Sequence, residues 1–107
     1  MAEVLGGFEH SVLLAMMRLE GSAYSVPIVG ELEAQTGRSV APAAVYVTLR
    51  RLEKRGLLTS DMSPLDEGVG GRPRRVFSVT PDAIGLLKSL RRDLDRLWDG
   101  VTALETP

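Results

Sequence analysis

The chain has 107 residues, 13 lysines and arginines against 14 acidic residues, a net charge of −1 and no cysteine. That length bounds it to one domain with a modest core, and the missing thiols remove disulfide frameworks, thiolate metal sites and a cysteine nucleophile. A single histidine, His10, argues against a histidine metal site or triad. No run approaches the roughly 20 apolar residues of a membrane span and no basic-then-apolar signal opens the chain, so the expectation is a soluble, cytoplasmic protein without cofactor or membrane partner.

Phe8, Val12, Leu13, Met16 and Leu19 recur at helical spacing, predicting a first helix over Phe8 to Glu20 closed by Gly21, with His10 a partly exposed residue near its start. Ser22 to Tyr24 reads as a short connection. Ser25 is placed to cap a second helix, with Pro27 tolerated in its first turn, Ile28, Val29 and Leu32 inward and Gly37 at its end. Gly30 inside that helix costs about 1 kcal/mol relative to Ala. Either another backbone approaches closely there or the cost is simply tolerated.

Arg38 to Ala41 turns into a third helix, from Pro42 in the first turn to Gly56 in the left-handed position after the last. Val45, Leu49 and Leu52 form its buried stripe. The opposite face carries Ala43, Val47, Arg50 and Lys54, flanked by Tyr46 and Arg51. Small residues followed by cations suit a helix lying in a DNA major groove, because the former admit base edges and the latter reach phosphates. The plainer alternative is a solvated amphipathic helix.

After Gly56 the period changes. Leu57 to Met62 reads as a strand, Ser63 to Pro73 as a loop holding Gly68, Gly70 and Gly71, and Arg74 to Val79 as a returning strand with Phe77 and Val79 on one face. Helix-turn-helix followed by a two-stranded hairpin is the order of a winged helix. Arg72, Arg74 and Arg75 on the returning arm suit a phosphate backbone or a minor groove, or else blunt an exposed strand edge. Asp66 and Glu67 near the loop tip oppose deep insertion.

Thr80-Pro81-Asp82 supplies a capping hydroxyl, a first-turn proline and an acid at a helix start. Leu87, Leu90, Leu94, Leu97, Val101 and Leu104 then follow at spacings of 3, 4, 3, 4 and 3, a heptad seam that a second copy or the first helix could cover. Trp98 borders this seam, as interface core or as a flat surface for a planar apolar effector in a dimer cleft. Gly100 weakens the last turns.

Charge is uneven along the chain. Residues 1–37 hold one basic and five acidic residues, residues 38–75 eight and four, and residues 76–107 four and five. The middle third therefore presents a positive patch despite the net charge, and the patch sets the field that a phosphate backbone meets.

The run from Pro42 to Glu53 (Pro-Ala-Ala-Val-Tyr-Val-Thr-Leu-Arg-Arg-Leu-Glu) with Arg55-Gly56-Leu57 resembles the third helix of PadR-like transcriptional regulators. Gly71-Arg72-Pro73-Arg74-Arg75-Val76-Phe77-Ser78-Val79-Thr80 is similar to the wing of that family, and the resemblance extends over roughly residues 8 to 104. Ala41 stands where the family often has a capping Ser, Val47 replaces a common Pro, and the family's Gly-Tyr before helix two is Tyr24-Ser25-Val26-Pro27 here. The resemblance implies a homodimeric, mostly bacterial DNA-binding protein that dimerises through its C-terminal helix and represses transcription, often until a small molecule relieves it. With one short C-terminal helix the chain resembles the small branch of the family, where a ligand would bind at the dimer cleft.

The expected organisation is thus an α+β winged helix-turn-helix over residues 1–80 and a dimerisation helix over 81–107. Ala43, Ala44, Tyr46, Val47, Arg50, Arg51, Lys54, Arg72, Arg74 and Arg75 are the expected contacts to double-stranded DNA. Leu87, Leu90, Leu94, Leu97, Trp98, Val101 and Leu104 are expected in the dimer interface. A winged-helix protein-interaction module is the alternative. An enzyme is not expected, since Gly68 to Gly71 lacks the Gly-Lys-Ser/Thr ending of a nucleotide loop and no nucleophile–base pair can be assembled.

Overall fold

Apolar residues from each of four helices and two strands meet in one buried cluster, and their spacing dictates how the elements lie. The computed structural model describes residues 4–63 and 73–101. Its elements are α1 (Gly7–Arg18), β1 (Ser22–Ala23), α2 (Ser25–Thr36), α3 (Pro42–Lys54), β2 (Leu58–Met62), β3 (Arg75–Val79) and α4 (Pro81–Trp98). Val12, Leu13 and Met16 of α1 share the core with Ile28 and Leu32 of α2 and with Val45, Leu49 and Leu52 of α3. Leu57, Leu58, Phe77, Ala83 and Leu87 complete it. No buried side-chain nitrogen or oxygen among the described residues lacks a hydrogen-bond partner. Arg72, Leu104, Asp66, Glu67 and the glycines 68, 70 and 71 lie outside the described residues.

Local chemistry sets the helix ends. At the start of α1 the Glu9 carboxylate reaches back to accept from the Gly6 N–H at 2.9 Å, satisfying a donor that the helix leaves free. The helix stops before Glu20 because Glu20 (φ 66) and Gly21 (φ 86) both turn left-handed. Ser25 is not the cap of α2: Tyr24 occupies that position without a side-chain bond, and Ser25 is the first helical residue. Gly37 closes α2 in the left-handed conformation, as its position implied. The turn into α3 is braced by Glu33, whose carboxylate accepts from the Val40 N–H at 2.8 Å. Thr80 caps α4 by accepting from the Ala83 N–H (3.3 Å), and its own hydroxyl donates to the Gly56 carbonyl (3.0 Å).

The hairpin β2–β3 forms with Ser60 opposite Phe77 and Met62 opposite Arg75. Ser22–Ala23 is more than a connection. It pairs antiparallel with β3, Ser22 opposite Ser78, and makes a three-stranded sheet in the order β1-β3-β2. Two residues are too few for a period of two to show in sequence. Along α4, Leu87 is buried and Leu90 half-buried, but Leu94, Leu97 and Trp98 are exposed by 46%, 71% and 52%. Helix α1 therefore covers only the first part of the leucine seam.

Two expectations follow. A Cβ built at Gly30 meets nothing within 4 Å, which removes the close-approach explanation and leaves tolerance. Gly30→Ala should stabilise the protein by up to about 1 kcal/mol in urea denaturation. The Arg18 guanidinium hydrogen-bonds the Glu31 carboxylate and holds it below its ordinary pKa. A depressed carboxylate contributes stability that is present above its unfolded pKa and lost as pH falls through its folded one. Arg18→Ala should return Glu31 toward the usual carboxylate range in an NMR titration and shrink that acid-side loss.

Candidate nucleic-acid interface

Helix α3 is divided cleanly between two environments. Pro42 opens it, where a missing N–H costs nothing, and Ala41 at the N-cap makes no side-chain bond. Val45, Leu49 and Leu52 have no exposed surface, and Thr48 beside them is also buried. Ala43, Ala44, Val47, Arg50, Arg51 and Lys54 are all exposed. Tyr46 belongs to both sides: its ring meets buried Phe77 edge-on at 6.0 Å, while 42% of the residue remains exposed. The helix is thus held along one stripe, and its opposite side carries small residues, then cations, into solvent.

The wing arginines are placed individually. The Arg74 guanidinium sits 5.4 Å over the Tyr24 ring at the start of α2, a contact that no sequence spacing announces. Two bonds tie Arg74 to Ser63 just beyond the hairpin's last ladder pair: the Ser63 N–H donates to the Arg74 carbonyl at 2.7 Å, and the Arg74 N–H donates to the Ser63 side-chain Oγ at 3.2 Å. Arg75 is half-buried, and its Nη1 donates to Ser60 Oγ at 2.9 Å. Arg50 Nη1 lies 3.4 Å from the Glu53 carboxylate one turn along α3.

Arg55 is the exception among the cations of this region. It turns away from the exposed face to the start of α1, where Nη1 stands 3.2 Å from both Glu9 oxygens and Nη2 donates to the Val4 carbonyl at 2.7 Å. Its job is to tie the end of α3 to α1.

A second feature lies on the other side of α1. His10, Leu14 and Met17 face Ile84, Leu87, Leu94 and Trp98 of α4 across a groove of about 520 Å³, with Lys88, Arg91 and Asp95 also lining it. Trp98 shares a neighbouring hollow with Leu94, Leu97 and Val101, but the helical seam stops short of its expected extent, because α4 ends at Trp98 and the left-handed Gly100 (φ 82) takes half-buried Val101 off the helix. Arg91–Asp95 and Arg96–Asp93 pairs sit on the exposed surface of the same helix. Among the described residues no three His, Cys, Asp or Glu side chains gather closely enough to hold a metal ion.

Residues 13–83 match the transcriptional regulator PadR-like family. A transcriptional regulator of Mycobacterium tuberculosis is 43% identical over 61 residues, which are 57% of this chain and 53% of that protein. The match thus spans about half the length of that relative. The crystal structure of a PadR family transcriptional regulator from Eggerthella lenta superposes with a TM-score of 0.68 at 29% identity, covering 87% of this chain and 79% of the other. Bordetella bronchiseptica BpsR, whose DNA binding is regulated by 6-hydroxynicotinic acid, superposes with a TM-score of 0.67 at 23% identity, covering 89% and 63%. At that identity the likeness speaks to fold alone.

Proposed function

The chain belongs to the PadR-like family of transcriptional regulators, a winged-helix DNA-binding family and not one of enzymes, and from that premise we propose that it is a homodimeric repressor. One observation carries the DNA-binding part of this reading: α3 buries its apolar stripe completely and leaves its small and cationic side exposed. In the proposed complex, residues 42–51 lie in a major groove. Tyr46, Arg50, Arg51 and Lys54 reach phosphates or base edges, and Arg72, Arg74 and Arg75 follow the flanking backbone. Ala43, Ala44 and Val47 offer no hydrogen bonds, so they read thymine methyls or groove shape.

Residues 1–80 form the DNA-binding unit in this proposal, and residues 81–107 pair with a second copy. Support comes from the uncovered Leu94, Leu97 and Trp98, an apolar strip that the protomer itself does not bury. Leu87, expected in the interface, is instead buried in the protomer's own core, so pairing along Leu90, Leu94, Leu97 and Trp98 would set two α3 helices one helical turn of DNA apart, about 34–36 Å. The α1–α4 groove beside Trp98 is the place for a small planar apolar effector that relieves repression. The regulation of BpsR by 6-hydroxynicotinic acid adds support from a protein of like fold.

Two measurements test this. Leu97→Glu should put charges into the pairing strip, so that the protein sediments as a monomer and binds duplex DNA more weakly. A variant that remains dimeric removes α4 as the pairing element. Arg50→Ala should lower affinity for a duplex enriched from a random pool and flatten the plot of log K against log salt by about 0.9, one phosphate contact. A protein that only paired with other proteins would show no salt-sensitive binding to duplex at all.

A further inference from the structure

We infer that Glu53 is a positioning residue of the DNA-binding surface, holding a helix arginine directly and a wing arginine through Ser60 before DNA arrives; the inference rests on the DNA-binding reading above. The Glu53 carboxylate is shared between two partners. Oε1 lies 3.4 Å from Arg50 Nη1, and Oε2 accepts from Ser60 Oγ at 2.5 Å, in the range of a charge-assisted bond. Ser60 Oγ in turn accepts from Arg75 Nη1 at 2.9 Å. The relay exists because of strand register. Ser60 stands opposite Phe77, and Arg75 is two residues from Phe77, so alternation puts all three on one face of the sheet. That face carries Phe77 against Tyr46 of α3.

An acid on a surface that meets a polyanion is a liability if charge is its only effect. Removing it would then tighten binding to every duplex alike. The hydrogen bonds give it another consequence. Arginine loses much rotamer freedom when it is fixed against a target, and a side chain ordered beforehand loses less on binding. Glu53 orders one cation on α3 and another on β3, and it fixes their separation. Such half-exposed pairs contribute little to folding stability, so the fold should survive their loss.

The test compares wild type, Glu53→Ala, Ser60→Ala and the variant carrying both substitutions on two probes: a duplex that wild type enriches from a random pool, and a scrambled duplex of the same length. Glu53→Ala should lower the ratio of specific to scrambled affinity roughly two- to tenfold, the scale of ordering an arginine side chain, with scrambled binding unchanged or tighter. Ser60→Ala cuts only the wing arm. It should lower the ratio by less and have no further effect in the Glu53→Ala background. Without DNA, the Arg75 side-chain N–H should become more mobile by ¹⁵N relaxation in both single variants. An unchanged or higher ratio in Glu53→Ala, additive effects of the two substitutions, or an Arg75 side chain equally ordered in wild type and both single variants overturns the inference. A wild type that enriches no duplex sinks the proposed function and this inference together. A wild type that discriminates, with a Glu53→Ala variant that discriminates equally well, sinks this inference alone.

Discussion

Val45, Leu49 and Leu52 enter the same buried cluster as Val12, Leu13 and Met16, and this packing of α3 onto α1 is what the remaining features rely on. Each fully buried aliphatic side chain is worth on the order of 1.5–3 kcal/mol relative to exposure. The stripe therefore resists rotation of α3 about its axis, a motion that would exchange apolar side chains for Arg50 and Lys54. The cationic side faces outward because the other side cannot. Polar restraints then refine what burial has fixed: Arg55 clasps Glu9 and the Val4 carbonyl at one end, and Glu33 holds the turn at the other.

Helix α1 consequently has two neighbours with different demands. One side, Val12 and Met16 among it, is consumed by the core. Another side, with His10, Leu14 and Met17, lines the groove against α4. Its first turn also carries Glu9, which grips the end of α3 through Arg55. The groove and α3, whose far side carries the cations, thus both rest on α1.

Much of this could be read from residue order. Apolar spacing located the helices, Gly37 and Gly56 marked left-handed ends, and Thr80-Pro81-Asp82 marked the start of α4, all being local signals. Features that depend on distant residues were not legible. Strand β1 has two residues and a partner far along the chain, so it carries no periodic signature. The Tyr24–Arg74 stack and the Glu53–Ser60–Arg75 relay need a hairpin register that no spacing supplies. Ser25 reads as the cap of α2 because serine is an ordinary capping residue, whereas Tyr24 takes the position with no side-chain bond. Gly30 needed the space around it to be seen. For the candidate site, Arg50 at one turn from Glu53 was visible in the helix pattern, but the linkage onward to the wing was not.

The Thr80 hydroxyl serves two helices at once, capping α4 while gripping the carbonyl after α3. That clasp leaves no slack between the two. An α-helix advances about 1.5 Å and turns about 100° with each residue, so the number of residues from Thr80 to the first leucine of the seam acts as a ruler and a protractor together. One residue inserted there would turn Leu87 out of the buried cluster by about 100°, so the direction in which the uncovered Leu94, Leu97 and Trp98 face is held by the core as well as by the clasp.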